Sequence, residues 1–241
     1  MRTYPHTWMR RRGKLSSFDP TWGVSGCLVG VYSDLGVTKD GSDRAGTWAD
    51  QSGNGNDFTQ ATDSKKFVWY DSMLNGYPEL RSDGIDDWMQ TGAFTLARPV
   101  TMFLVYRDIL HTGYPKDIMV DGLSDSFALQ ESGIIYGGVV AYGGHYWSTG
   151  EVFSNGSYTL ITNGIASDGG NTGYVRKNTV SKAGFVQAIS SSPNGLTLGC
   201  AYDFGRPTNI GFVAFLIYNS KLGDTDRAII EAGLNARYAI W

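Results

Sequence analysis

The sequence predicts an all-β protein, a two-sheet antiparallel jelly-roll sandwich with one C-terminal helix. Three observations carry this prediction. Gly occurs 32 times and aromatic residues make up 13% of the chain, a balance that suits strands and turns better than helices. Short apolar runs recur between Gly, Asn and Asp punctuation. Only one stretch has helical periodicity. A chain of 241 residues, 41% hydrophobic and 18% charged, has enough apolar material for a sizeable core, and sandwiches of this length are commonly a single domain.

The first apolar run covers residues 27–32. The stretch from Ser52 to Asp57 reads as a turn, because its Asn-Gly pair suits positions that need positive φ. Residues 67–70 form a short strand, and Asn75-Gly76-Tyr77-Pro78 turns into a strand at 79–81. Residues 100–106 give the strongest strand, and their nearly continuous apolar pattern predicts cover on both faces. Strands follow at 117–120, 126–130 and 133–141. Residues 158–165 alternate and read as half-buried. Residues 173–180 read as a hairpin with Lys177-Asn178 at its tip, and 196–202 and 209–218 supply two late strands. Asp224-Thr225-Asp226 opens the helix, with its acids capping the positive end of the dipole. Ile230, Leu234 and Tyr238 then share one face.

Charge divides the chain. Arg2, Arg10, Arg11, Arg12 and Lys14 precede the first acid, Asp19, so five of the 20 basic residues come before all 23 acidic ones. The reading is a basic arm over 1–24 and a jelly-roll domain over 25–241. The arm is either a solvated terminus or a docking segment for an acidic partner, with Trp8 and Tyr4 favouring docking. The net charge of −3 excludes a globally basic nucleic-acid binder. No run approaches the ~20 apolar residues of a membrane span, and no secretion signal is visible. Cys27 and Cys200 are therefore expected as free buried thiols, with a bridge as the alternative.

Several stretches, in consistent order, resemble the concanavalin A-like lectin/glucanase superfamily in its laminin-G-like branch. They are Gly26-Cys27-Leu28-Val29-Gly30-Val31-Tyr32, then Thr47-Trp48-Ala49-Asp50-Gln51-Ser52-Gly53-Asn54-Gly55-Asn56-Asp57, then Asn75-Gly76-Tyr77-Pro78-Glu79-Leu80-Arg81-Ser82-Asp83-Gly84-Ile85-Asp86-Asp87. The last is Gly211 to Leu222 followed by Asp226-Arg227 and the helix. Ser82 stands where the family usually has Phe, which implies a local packing change. The resemblance implies a module of the kind found in virion proteins of tailed bacteriophages. On that reading the chain is a non-enzymatic head-decoration, neck, tail or fibre component. It is made in the host cytoplasm, works as a homo-oligomer, and attaches through Arg2, Trp8, Arg10, Arg11, Arg12 and Lys14 to other virion proteins.

The alternative is a lectin-like module that recognises a host-surface glycan. Its candidate is the Gly-loosened aromatic loop Tyr142-Gly143-Gly144-His145-Tyr146-Trp147, since flat rings with polar tips match the faces of sugars. The same loop also reads as a subunit interface. Asp83, Asp86 and Asp87 read as turn-capping residues, with a structural calcium ion as the alternative; no other cofactor is expected. Catalytic patterns are missing. A glycosidase needs two carboxylates facing one sugar, but the four glutamates, Glu79, Glu131, Glu151 and Glu231, are far apart. The one Asp/Glu pair at i, i+2 is Asp224 and Asp226, at the helix start. The three histidines match no zinc spacing, and no nucleotide-binding loop or nucleophile elbow occurs.

Overall fold

The computed structural model describes residues 19–97, 99–110, 117–123, 129–131, 135–137, 156–165, 174–182 and 194–241, the backbone alone at 117–118, 129–131, 135–137 and 182. The strands in chain order are β1 (Cys27–Tyr32), β2 (Val37–Lys39), β3 (Ala45–Trp48), β4 (Phe58–Thr59), β5 (Val68–Leu74), β6 (Tyr77–Arg81), β7 (Met89–Thr91), β8 (Val100–Asp108) and β9 (Asp117–Gly122). They continue as β10 (Leu129–Glu131), β11 (Ile135–Gly137), β12 (Tyr158–Ile165), β13 (Tyr174–Lys177), β14 (Val180–Lys182), β15 (Leu196–Leu198) and β16 (Ile210–Tyr218). One helix, α1 (Asp224–Tyr238), follows.

The strands make two sheets, every pairing antiparallel. Sheet A runs β14-β13-β12-β8-β16-β6-β5, with β1 also paired to β16. Sheet B runs β11-β10-β9-β15-β7-β4-β3-β2. Between them lies one apolar cluster, to which sheet A gives Leu104, Phe212 and Ile217 and sheet B gives Trp48, Phe58 and Leu198. Among the described residues the chain forms the expected two-sheet jelly roll with a single α-helix at its C-terminal end.

Sheet A has a second buried face. Ile230, Leu234 and Tyr238 of α1 pack with Phe103, Val105, Leu160, Val213 and Leu216. Strands β8 and β16 are thus covered on both sides, and all nine residues of β16 are buried. This corrects the reading of residues 158–165 as half-buried: Leu160 faces α1 while Ile161 and Ile165 face sheet B. Gly233 sits within α1 at a cost of about 1 kcal/mol relative to Ala, and the indole of Trp22 occupies the space its Cβ would take. Residues 20–24, on the arm's side of the boundary read from sequence, pack against the body. The hydroxyl of Tyr218 donates to Thr21 O at 3.0 Å, and Val24 joins the helix-side cluster. Arg2, Trp8, Arg10, Arg11, Arg12 and Lys14 lie outside the described residues.

The motifs behind the family resemblance have structural work. The loop after β3 lays its polar side chains along the free edge of β1. Asp50 Oδ1 accepts from Gly30 N at 2.8 Å, while Asn54 Nδ2 and Asn56 Nδ2 donate to Cys27 O and Leu28 O at 2.8 Å each. An edge strand's backbone groups are thereby satisfied within the molecule. At Asn75 and Gly76 both turn residues have positive φ, as a tight β5–β6 hairpin requires. The β13–β14 hairpin turns at Asn178 and Thr179, one residue later than expected, because these two carry the positive φ values of 45° and 68°. The helix N-cap is Gly223, with no side-chain cap hydrogen bond; Asp224 and Asp226 stand in the first turn, where the dipole favours them as expected, and Asp224 also accepts from Arg227 at 2.8 Å. Cys27 and Cys200 are buried and free, and burial raises both thiols to about 12.

Ring packing joins the sheets where Phe58 of β4 meets Phe215 of β16 edge to face at 6.2 Å, and beside it Phe67, just ahead of β5, stacks on Phe212 at 5.1 Å with both rings fully buried. Phe212→Ala should therefore cost about 3–5 kcal/mol, read as a lower urea midpoint with an unchanged slope.

Candidate functional site

Three connections converge at one end of the sandwich: the turn after β6, the segment after β8, and the loop before β16. Ser82 ties the first to the third. Its hydroxyl is buried, donates to Thr208 O at 2.6 Å and accepts from Ile210 N at 3.3 Å. Ser82 thus has its buried hydroxyl satisfied by the backbone of Thr208 in that loop and of Ile210 at the start of β16. Gly84, at φ 76°, lies so close to Asn209 that a Cβ would be 2.9 Å from Asn209 Cβ. Asn209 O accepts from Ile109 N at 3.1 Å, which brings in the segment after β8.

The loop before β16 presents an aromatic ring. Phe204 is 50% exposed and sits at φ 62°. The backbone closes around it: Phe204 N donates to Ala201 O at 2.9 Å, Ala201 N to Gly205 O at 2.9 Å, and Gly205 N to Asp203 Oδ1 at 3.1 Å. Its ring lies 4.6 Å from that of half-buried Trp88. Ile85 and Leu110 are exposed at the same end, by 74% and 52%.

Acids surround this apolar surface. Asp83, Asp86 and Asp87 each bring a carboxylate oxygen to within 4.8 Å of the others. Asp83 Oδ1 accepts from Ile85 N at 2.8 Å and Asp86 N at 3.3 Å, and Asp87 Oδ2 accepts from Asp83 N at 3.1 Å. Asp83 and Asp87 thus fill the turn-holding role expected from sequence. Calcium takes about six to eight oxygens, and the three carboxylates alone supply half of such a shell. Asp87 is 3% exposed. Its burial, with the negative charges of Asp83 and Asp86, pushes its carboxyl up to about 7. Exposed rings beside exposed carboxylates offer stacking for an apolar C–H face and acceptors for hydroxyl donors.

Beside this end, the outer face of sheet A continues past α1 as a polar cluster. Glu79 is fully buried and accepts from Arg81 Nε, from Arg107 Nη2, from Arg107 Nε at 3.2 Å and from Tyr158 Oη at 2.6 Å. Burial alone would raise this carboxyl, but the hydrogen bonds from Arg107, Tyr158 and Arg81 outweigh it and hold it below its ordinary value. The guanidinium of Arg81 lies over the Tyr70 ring at 3.8 Å, and that of Arg107 over the Tyr158 ring at 5.4 Å. Glu231 is likewise closed, with Arg176 Nε donating to it at 2.9 Å. That pair also lines a groove of about 410 Å³ between α1 and the β13–β14 hairpin.

Sequence reasoning reached the acidic turn but missed Phe204, and Glu79 with Arg81 and Arg107. The signal for the second was present: Glu79 and Arg81 are two apart on a strand and share a face. The aromatic loop with Tyr142, His145, Tyr146 and Trp147 lies outside the described residues.

No protein-family model and no curated protein sequence matches the chain. Solved structures do. Domain 4 of the extracellular arabinanase AbnA from Geobacillus stearothermophilus, in complex with arabinotriose, is similar at a TM-score of 0.59 and 12% identity, covering 83% of this chain and 96% of that one. Trypanosoma rangeli sialidase is similar at 0.58 and 11%, over 88% of this chain and 33% of the sialidase. The binding domain of botulinum neurotoxin serotype D is similar at 0.61 and 12%, over 86% of this chain and 52% of that domain. At these identities the shared property is the β-sandwich fold.

Asp87 gives the site a pH signature. Folding favours its protonated form, so this contribution to stability is present below about 3.8 and is lost as the pH rises through about 7. Asp87→Asn keeps an acceptor for Asp83 N and removes the titration. In chelator, the variant should match the parent near pH 4 and exceed it at pH 8 by about 2–4 kcal/mol, measured by urea unfolding across that range.

Proposed function

We propose that this protein is a non-catalytic carbohydrate-binding module that takes a saccharide at the loop end formed by Ile85, Trp88 and Phe204 with Asp83, Asp86 and Asp203. The observation that carries this is Phe204. A non-glycine residue in the left-handed region costs about 1–2 kcal/mol, and here it holds a half-exposed ring outward among carboxylates. Strain kept in an exposed binding loop is a recognised mark of function. A sugar laid on Phe204 and Trp88 stacks its C–H face on the rings and donates its hydroxyls to the acids. The fold shared with an arabinanase domain solved with arabinotriose supports the reading. So does the closure of Glu79 and Glu231 by arginines, which leaves neither free to act on a glycosidic bond. Tyr142, His145, Tyr146 and Trp147, read from sequence as rings suited to a glycan, belong to the same proposal. The turn of Asp83, Asp86 and Asp87 is the place where calcium would support it.

A second reading rests on the sequence resemblance and on the five basic residues ahead of Asp19. In it the module belongs to a tailed-phage virion as a homo-oligomer, held by Arg2, Trp8, Arg10, Arg11, Arg12 and Lys14. Deleting residues 1–14 should then abolish co-sedimentation with purified particles and leave saccharide binding unchanged.

The first reading is tested on a panel of neutral and acidic oligosaccharides, with and without calcium. Phe204→Ala and Trp88→Ala should each weaken binding by about tenfold with little change in melting temperature. A panel with no ligand, or a ligand indifferent to both substitutions, ends this reading.

A further inference from the structure

We propose that Arg81 and Arg107 form an anion subsite continuous with the loop end, so that the preferred saccharide carries a carboxylate or a sulfate. This rests on the carbohydrate reading above and names its ligand class.

The chemistry follows from what Glu79 leaves over. Its carboxylate takes Nε of Arg81, Nε and Nη2 of Arg107, and the hydroxyl of Tyr158. The remaining Arg81 nitrogen with a partner, Nη2, points to Met73 Sδ at 3.5 Å. Among the described residues neither Nη1 has a partner. The two side chains are 24% and 16% exposed, against 0% for Glu79. Two guanidiniums around one ionised carboxylate leave a net positive charge at the surface. Guanidinium is planar, weakly hydrated and shaped to pair with oxyanions.

The pair is also pre-positioned. Both arginines stand on strands, packed over Tyr70 and Tyr158. Gly211 lies between them in register, opposite Arg81 on β6 and Arg107 on β8. A side chain there would overlap the Glu79 carboxylate. Arg81, the last residue of β6, is two residues before Asp83, so their Cα atoms are at most about 7 Å apart and one ligand can reach both places. The exposed acids Asp83, Asp86 and Asp203 repel a dense polyanion. The ligand that fits has hydroxyls toward the turn and a single anionic group toward the arginines.

The probes are methyl glucuronide, its neutral methyl ester, and methyl glucoside 6-sulfate, titrated against the full chain. The acid and the sulfate should bind at least about tenfold more tightly than the ester, with a preference that falls as salt rises. They should shift the arginine side-chain Nε–Hε signals of the unmodified protein. Arg81→Gln leaves Arg107 to pair Glu79 and should remove most of the preference; Arg107→Lys keeps the charge without the fork and should weaken it. Equal binding of acid and ester, or arginine signals that no anion moves, overturns the subsite. If neutral sugars bind at Phe204 and the acids gain nothing, the subsite fails and the carbohydrate reading stands. If the anions move the arginines while Phe204→Ala changes nothing, the subsite stands and the reading at Phe204 fails. A difference between carboxylate and sulfate identifies which anion the pair accepts.

Discussion

Burial of sheet A on both faces is the constraint on which the rest depends. Its two central strands, β8 and β16, face sheet B on one side and α1 on the other. Where both faces are covered these strands are apolar at nearly every residue, which is why neither run alternates. Fifteen residues of helix span about 22 Å and do not cover the whole sheet. Where the helix stops, the outer face must meet water while its neighbours remain in the core. The row from Tyr158 through Arg107 and Gly211 to Arg81 occupies that boundary.

At this boundary a charge is buried because it is over-provided with donors. Glu79 has no exposure, and an unpaired carboxylate there would be neutralised or would unfold its surroundings. Four hydrogen bonds from three side chains keep it ionised. Removing one partner of a buried pair is costly, so the cluster locks the relative positions of β6, β8 and β12. The same bonds fix the planes of both guanidiniums, and that order extends into the turn and loop that hold Asp83 and Phe204.

What could be read from sequence follows from how local each signal is. Strands β8 and β16 and helix α1 declare themselves by long runs or by a repeat of four. Strands β2, β3, β4 and β7 span two to four residues, and such pieces are strands only because sheet B pairs them. The β12 pattern looks half-buried because its polar positions, Thr162 and Asn163, are inside the fold. Of the site, the acidic turn is contiguous and legible. Phe204 and Trp88 are 116 positions apart and meet because β7, which follows Trp88, pairs with β15, which precedes the loop that holds Phe204. The closeness of Glu79 to Arg107 depends on β16 lying between their strands.

The place of β16 has a kinetic consequence. It lies between β1 and β8 in sheet A yet follows both in the chain, β8 by more than 100 residues. While the chain is being made, β1 and β8 stand apart with a strand-wide gap between them, and their apolar faces have no cover. Pairings of such long range form slowly. The nascent polypeptide therefore passes through a period of exposed edges in which chaperone capture or association with other nascent chains competes with closure. Insertion of β16 ends that vulnerability at once, since it zips both neighbours and brings α1 down behind it.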